Sequence, residues 1–266
     1  MKELLLNLFC ALVLSVTDLS AQDKLVFGNP SSATNKQTNP KNFLLEHQNF
    51  ILSYNKSRGA ANWVTWHLSR ASLGLTDIGL TDNPDDFAPD ELLPVDWRIK
   101  PSDYSEKVFD RGQMCPSSDR SNTLANNVET YMMSNIQPLT PNLSRVTWKS
   151  LEEFSRVLVR RGNELYIYAG CYGSNGRIND KITIATNCFK IILVLPEGND
   201  DLNRVGVKTR VIAVDMPNKS TVNRRWQTYL TNVDAIEKVT GFDFLSPLKD
   251  ELENELEART DDGNRR

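Results

Sequence analysis

The sequence predicts an α+β fold, a mainly antiparallel central sheet flanked by helices. Three observations carry this reading. Strand-like runs recur at 60–68, 164–173, 189–195 and 208–216. Only two segments, 148–161 and 233–240, show a helical pattern. No internal repeat and no linker divides the 266 residues. At 39% hydrophobic and 24% charged, the composition is that of an ordinary globular chain, neither disordered nor membrane-spanning.

At the amino terminus, Met1-Lys2 precedes an apolar run from Leu4 to Val16. Small residues at Ser20-Ala21 then lead into the polar Gln22-Asp23-Lys24. The run is too short for a bilayer core of ~30 Å at ~1.5 Å per residue. Residues 1–21 therefore read as a secretory signal peptide, with a buried amino-terminal helix as the alternative. The mature chain, 22–266, is then a single domain, secreted or periplasmic, with no membrane attachment after cleavage.

Residues 24–59 are polar and turn-rich before becoming mixed. The run Ala60–Leu68, AANWVTWHL, alternates bulky and small residues and reads as a strand. Pro84, Pro89, Pro94 and Pro101 mark 76–102 as a long loop, and a short strand is expected around Lys107-Val108-Phe109. In the helix at 148–161, Trp148, Leu151, Ser155 and Leu158 share a face, Thr147 can cap the start and Gly162 can end it. Glu152 and Arg156, four residues apart, are neighbours on an adjacent face. A last short helix fits Val233 to Thr240, ended by Gly241. From Lys249 to Asp262 two basic residues face seven acidic ones, a tail that reads as a solvated polar helix or a frayed terminus.

Export permits disulfides. Cys171 and Cys188 each lie in or beside a strand-like run with the turn-rich GSNGRIND between them, and they make the better pair. Cys115 is then an unpaired, buried thiol, and three cysteines give no metal spacing.

The net charge of −3 excludes a uniformly basic nucleic-acid wrapper. It leaves room for a local basic cleft: between Glu106 and Arg161 eight basic residues face six acidic ones. His47 and His67 are the only histidines, which excludes a multi-histidine metal centre and limits the source of an imidazole base. His67 reads as a satisfied strand histidine, and His47, in a polar stretch, as exposed.

The segment Phe109-Asp110-Arg111-Gly112-Gln113-Met114-Cys115-Pro116-Ser117-Ser118-Asp119-Arg120 carries the chemistry. It resembles the signature of the DNA/RNA non-specific endonucleases, exported nucleases with a ββα-metal site. Their motif is Asp-Arg-Gly-His followed by Met or Leu, a small residue, Pro and Ser. Further segments resemble the family in order: Gly28–Ser31, Leu52–Asn55, Asn62–Leu68, Met133–Pro138 through Trp148 and Leu151-Glu152, and Ile212–Pro217.

The resemblance implies hydrolysis of phosphodiester bonds in DNA and RNA, assisted by Mg²⁺ or Mn²⁺. It implies that Arg111 stabilises charge on the phosphate or leaving group and that Arg156 faces the phosphate as a second arginine. Glu152 would orient the water shell of the metal, and Asn135 is a structural or substrate-near asparagine. Two positions depart from the family pattern. Gln113 stands where the general-base histidine belongs, and Ser144 where the metal-binding asparagine belongs, with Asn142 two residues earlier as a fallback ligand. A glutamine amide does not titrate, so it can position a water but cannot take its proton. The Ser144 hydroxyl is neutral and shorter than an asparagine carbonyl, a poorer ligand for Mg²⁺. Two functional readings follow. One is an exported metal-dependent endonuclease with impaired catalysis; the other is a catalytically inactive nuclease-fold protein that binds nucleic acid or a partner.

Overall fold

The alternation in Ala60–Leu68 builds one strand of a seven-stranded antiparallel sheet that organises the chain. The computed structural model describes residues 25–74, 87–104 and 108–264, so the signal segment 1–21 and Lys107 lie outside the described residues. The described strands are β1 (Phe43–Glu46), β2 (Ile51–Asn55), β3 (Ala60–Leu68), β4 (Asp110–Gln113), β5 (Ile136–Leu139), β6 (Asn163–Tyr172), β7 (Arg177–Ile178), β8 (Ile182–Thr183), β9 (Asn187–Pro196), β10 (Arg210–Pro217) and β11 (Leu230–Thr231). The large sheet runs β1-β2-β3-β6-β9-β10-β11, and two small hairpins pair β4 with β5 and β7 with β8. The described α-helices are α1 (Leu124–Glu129), α2 (Lys149–Arg160), α3 (Asp201–Arg204), α4 (Val233–Thr240) and α5 (Asp250–Ala258).

The central strands read as nearly continuous apolar runs because both sheet faces are covered. Along β9, Ile192 and Val194 join a core with Leu139, Leu143, Trp148 and Leu151. The alternate residues Phe189, Ile191 and Leu193 pack on the other face with Val233, Ile236, Phe244 and Leu256. One face therefore carries β5 and α2, and the opposite face carries α4 and α5.

Three expectations are corrected. The short strand at 107–109 is instead β4, beginning at Asp110, because its hydrogen bonds are made with β5. Thr147 does not cap α2; a π-helical turn over Leu143–Trp148 runs directly into that helix, and the Thr147 hydroxyl donates to the Asn223 carbonyl at 2.8 Å. Gly162, at φ +88°, does end it. The acidic tail is not wholly solvated, since α5 buries Leu256 and Glu257. At α4, Asn232 caps Ala235 N–H at 3.0 Å and Gly241 closes the helix at φ +72°.

Cys171 and Cys188 sit directly opposite each other on β6 and β9, with Cα atoms 4.0 Å apart, and form a disulfide. Cys115 is free and buried.

Candidate active site

β4 and β5 pair with Arg111 opposite Pro138 and Gln113 opposite Ile136. Strand alternation sends Arg111 and Gln113 to the same side. Gly112 between them is required by contact: a Cβ there would lie 2.4 Å from Leu139 Cδ1. After β5 the chain enters the π turn and then α2, giving a β-β-α unit. A π turn, closed by i→i+5 hydrogen bonds, is wider than an α turn and occurs often at functional sites.

These elements enclose an open cleft of about 450 Å³, lined by Arg111, Gln113, Ser144, Arg145, Lys149, Glu152 and Arg156 among others. Five residues singled out in the sequence, Arg111, Gln113, Ser144, Glu152 and Arg156, thus share one cavity.

Two others do not line it. Asn135 is fully buried: its Oδ1 accepts Cys115 N–H at 2.9 Å and its Nδ2 donates to the Cys115 and Thr130 carbonyls at 2.8 Å each. Its amide is spent on the backbone, so the structural reading replaces the substrate-near one. Asn142 is exposed, outside the cleft lining, and donates to the Ser220 carbonyl, so it does not serve as the fallback ligand.

The cleft floor is a buried charge network. Glu152 Oε1 accepts from Lys190 Nζ at 3.2 Å, and the ammonium lies 4.2 Å from the Trp148 ring centre and 5.5 Å from that of Trp66. Arg156 Nη1 donates to Asp119 Oδ1 at 2.9 Å, while Asp119 Oδ2 accepts from Trp66 Nε1 at 3.0 Å. Burial pushes the Glu152 carboxyl upward, against the pull of Lys190 and Arg156. Its side chain keeps 11% exposure while that of Lys190 keeps 1%, so the lysine props the carboxylate from behind.

Arg111 is held from two sides. Its Nη2 donates to the Pro101 carbonyl at 3.0 Å and its guanidinium lies 5.1 Å from the Phe87 ring centre. The Gln113 amide is fixed at both ends. Nε2 donates to the Thr130 carbonyl at 3.1 Å and hydroxyl at 3.0 Å, and Oε1 accepts Ser117 N–H at 3.1 Å. At the rim, Arg145 forms a two-pronged pair with Asp110 at 2.6 and 2.8 Å.

Neither histidine reaches the cleft. His67 Nε2 pairs with Glu164 at 3.0 Å and its ring stacks on Tyr166 at 4.6 Å, a satisfied strand histidine. His47 corrects the expectation of exposure: it is 8% exposed, with Nε2 2.8 Å from Asp90 and Nδ1 3.5 Å from Glu129. Burial lowers its pKa, but the bonds to both carboxylates outweigh this and raise it to about 9.

Sequence reasoning missed Asp119, Arg145, Lys149 and Lys190 as parts of this site. The first lies inside the motif itself. Arg145, Lys149, Glu152 and Arg156 form a helical stripe, and a lysine inside the apolar run FKIILVL is itself a signal of a buried partner.

The sequence pattern of the DNA/RNA non-specific endonucleases matches residues 28–251. The chain belongs to that family. It is 41% identical over 239 residues to a nuclease of Nostoc sp., covering 89% of this chain and 85% of the relative. Nuclease C1 of Cunninghamella echinulata is 27% identical, with 85% and 90% covered. In fold, the endonuclease resembles a chain from a crystal structure of the EndoG/EndoGI complex, described as showing the mechanism of EndoG inhibition. The TM-score is 0.69 at 20% identity, with 86% of this chain and 92% of that one covered. Membership identifies the chain as a nuclease, and the family is metal-dependent.

The donor set of the cleft suits a hydrated divalent ion better than a tightly caged one. Glu152 is the carboxylate facing the cavity and Ser144 offers a hydroxyl, while Mg²⁺ commonly takes only one or two protein carboxylates and keeps several waters.

Proposed function

We propose that this chain is an exported endonuclease that hydrolyses DNA and RNA without sequence preference, dependent on Mg²⁺ or Mn²⁺, with a slow chemical step. The observation carrying this reading is the shared cleft of Arg111, Gln113, Ser144, Glu152 and Arg156 on one β-β-α unit. Ser144 and Glu152, the latter through water, would hold the metal, which would supply Lewis-acid stabilisation of charge on the phosphate.

The residues of the chain supply the rest. Arg111 presents a guanidinium braced by the Pro101 carbonyl and the Phe87 ring, suited to a phosphate oxygen. Arg156 is fixed by Asp119 at the back of the cleft, and Arg145 and Lys149 give the cleft lining further positive charge. Contacts to phosphate fix position and carry no base information, which supports action on both nucleic acids. Gln113 cannot take a proton from water, and both imidazoles are engaged elsewhere. That supports slow turnover. The Cys171–Cys188 disulfide supports export of the mature domain 22–266 after loss of the 1–21 segment.

Plasmid nicking in Mg²⁺, in Mn²⁺ and in a chelator tests the proposal. Slow nicking that the chelator abolishes and Arg111→Ala reduces is expected. Nicking that survives chelation, or none with either metal, would refute it.

A further inference from the structure

On the sheet face opposite the cleft, α4 and α5 pack against each other around Val233, Ile236 and Leu256. Between them stand three carboxylates. Asp234 and Glu237 share one face of α4, three residues apart, and Glu257 comes from the last turn of α5. One oxygen from each lies within 4.8 Å of the other two. Opposed carboxylates on packed helices repel, and this arrangement needs a compensating charge.

A separate observation bears on what supplies it. Glu257 is 5% exposed, and its Oε1 has no hydrogen-bond partner. A buried carboxylate oxygen without a donor carries the full cost of its lost hydration. Its carboxylate is directed at the other two acids, whereas Glu237 already accepts the Phe244 N–H at 2.6 Å.

We propose that Asp234, Glu237 and Glu257 form a calcium site that clasps α4 to α5, apart from the catalytic cleft. The donors are all oxygen, which selects a hard cation over zinc or copper. Ca²⁺, with oxygen distances of ~2.3–2.6 Å, bridges oxygens up to ~5 Å apart in flexible geometry, whereas Mg²⁺ demands a tight octahedron at ~2.0–2.1 Å. Exposed Asp234 and partly exposed Glu237 leave an opening for water to complete the shell.

Thermal melting of the chelated chain, with added Ca²⁺, added Mg²⁺, or NaCl at matched ionic strength, tests this. Ca²⁺ at ~100 times its Kd should raise the Tm by about 5 °C or more, beyond the effect of Mg²⁺. Glu257→Gln should raise the Tm of the chelated protein and abolish the calcium-specific shift, and Asp234→Asn should weaken it. Glu152→Gln, in the cleft, should leave it intact. If Glu257→Gln does not fold, the exposed Asp234→Asn variant decides alone. No calcium-specific shift in the parent would mean that a proton alone balances the cluster, and the proposal fails. It also fails if the shift persists in full in both α4 and α5 variants or vanishes in Glu152→Gln. Either failure leaves the nuclease reading untouched, because that rests on the other sheet face.

Discussion

Gln113 donates to both oxygens of Thr130, the carbonyl at 3.1 Å and the hydroxyl at 3.0 Å, while its own oxygen takes the Ser117 N–H. The Thr130 hydroxyl in turn donates to the Asn127 carbonyl at 2.7 Å, which leaves it an acceptor for Gln113. Reversing the amide would set its oxygen against the Thr130 carbonyl, so its orientation is determined by its neighbours. The side chain at the proposed general-base position is thereby committed to binding the protein itself.

A titrating group there should change the rate. A positioned general base is worth ~10²–10⁴-fold in typical enzymes. Gln113→His should therefore raise metal-dependent plasmid nicking by at least about tenfold, allowing for imperfect alignment. Adding Ser144→Asn should exceed the product of the single effects, because in the proposed mechanism base and metal would act on one water. Glu152→Ala in the double variant should remove most of the gain. A folded double variant no faster than the parent contradicts the roles given to Gln113 and Ser144.

Lys190 and Glu152 should be coupled in stability. Removing one partner of a buried pair leaves an uncompensated charge, at a cost of roughly 3–5 kcal/mol. Urea unfolding of Lys190→Met should show such a loss, and Glu152→Gln added to it should recover most of it. A Lys190→Met loss that Glu152→Gln does not relieve would show that the lysine matters through packing on Trp66 and Trp148 instead.

His47 should make stability fall with rising pH. Its pKa stands at about 9 in the folded chain, against an ordinary value of 6.5. The stabilisation is fully present below pH 6.5 and disappears as pH rises through about 9, and the shift corresponds to roughly 3 kcal/mol. Urea midpoints measured across that window should decline for the parent. The component absent from His47→Gln should be of that size, and equal slopes in the two proteins would contradict the assignment.

Disulfide loss should be costly without affecting Cys115. The Cys171–Cys188 loop is worth ~3 kcal/mol in the chain-entropy model, so a Cys171→Ala/Cys188→Ala variant should unfold at clearly lower denaturant. Burial pushes the Cys115 thiol up, so it should resist a thiol reagent until the chain unfolds. Rapid labelling of Cys115 in the native protein would contradict its placement.

Local patterns were legible where neighbours in sequence decide structure. AANWVTWHL and the helix Val233–Thr240 form over the expected residues, since alternation and an Asn232–Gly241 pair of caps are local signals. The motif Asp110–Arg120 likewise delivered Arg111 and Gln113 to the cleft. What escaped depends on distant partners. His47 is buried by Asp90 and Glu129, which follow it by 43 and 82 residues. Asp110–Gln113 contains Gly112 and has little strand propensity of its own; β5 makes it a strand. Leu252 and Leu256, four apart in the acidic tail, did signal a packed helix face, but the charge around them masked it.

The π turn at Leu143–Trp148 has a consequence for how the endonuclease can vary. An α-helix advances 100° per residue. The wide turn inserts its surplus between Ser144 and Glu152, and so sets the angular phase between the two cleft-lining groups. Winding the same residues as a regular α-helix, with none deleted, would rotate Ser144 roughly a quarter-turn out of step with Glu152 and Arg156. The irregular winding thus acts as a vernier: it takes up one surplus residue and keeps Ser144 in step with Glu152 across a spacing that regular winding would misalign.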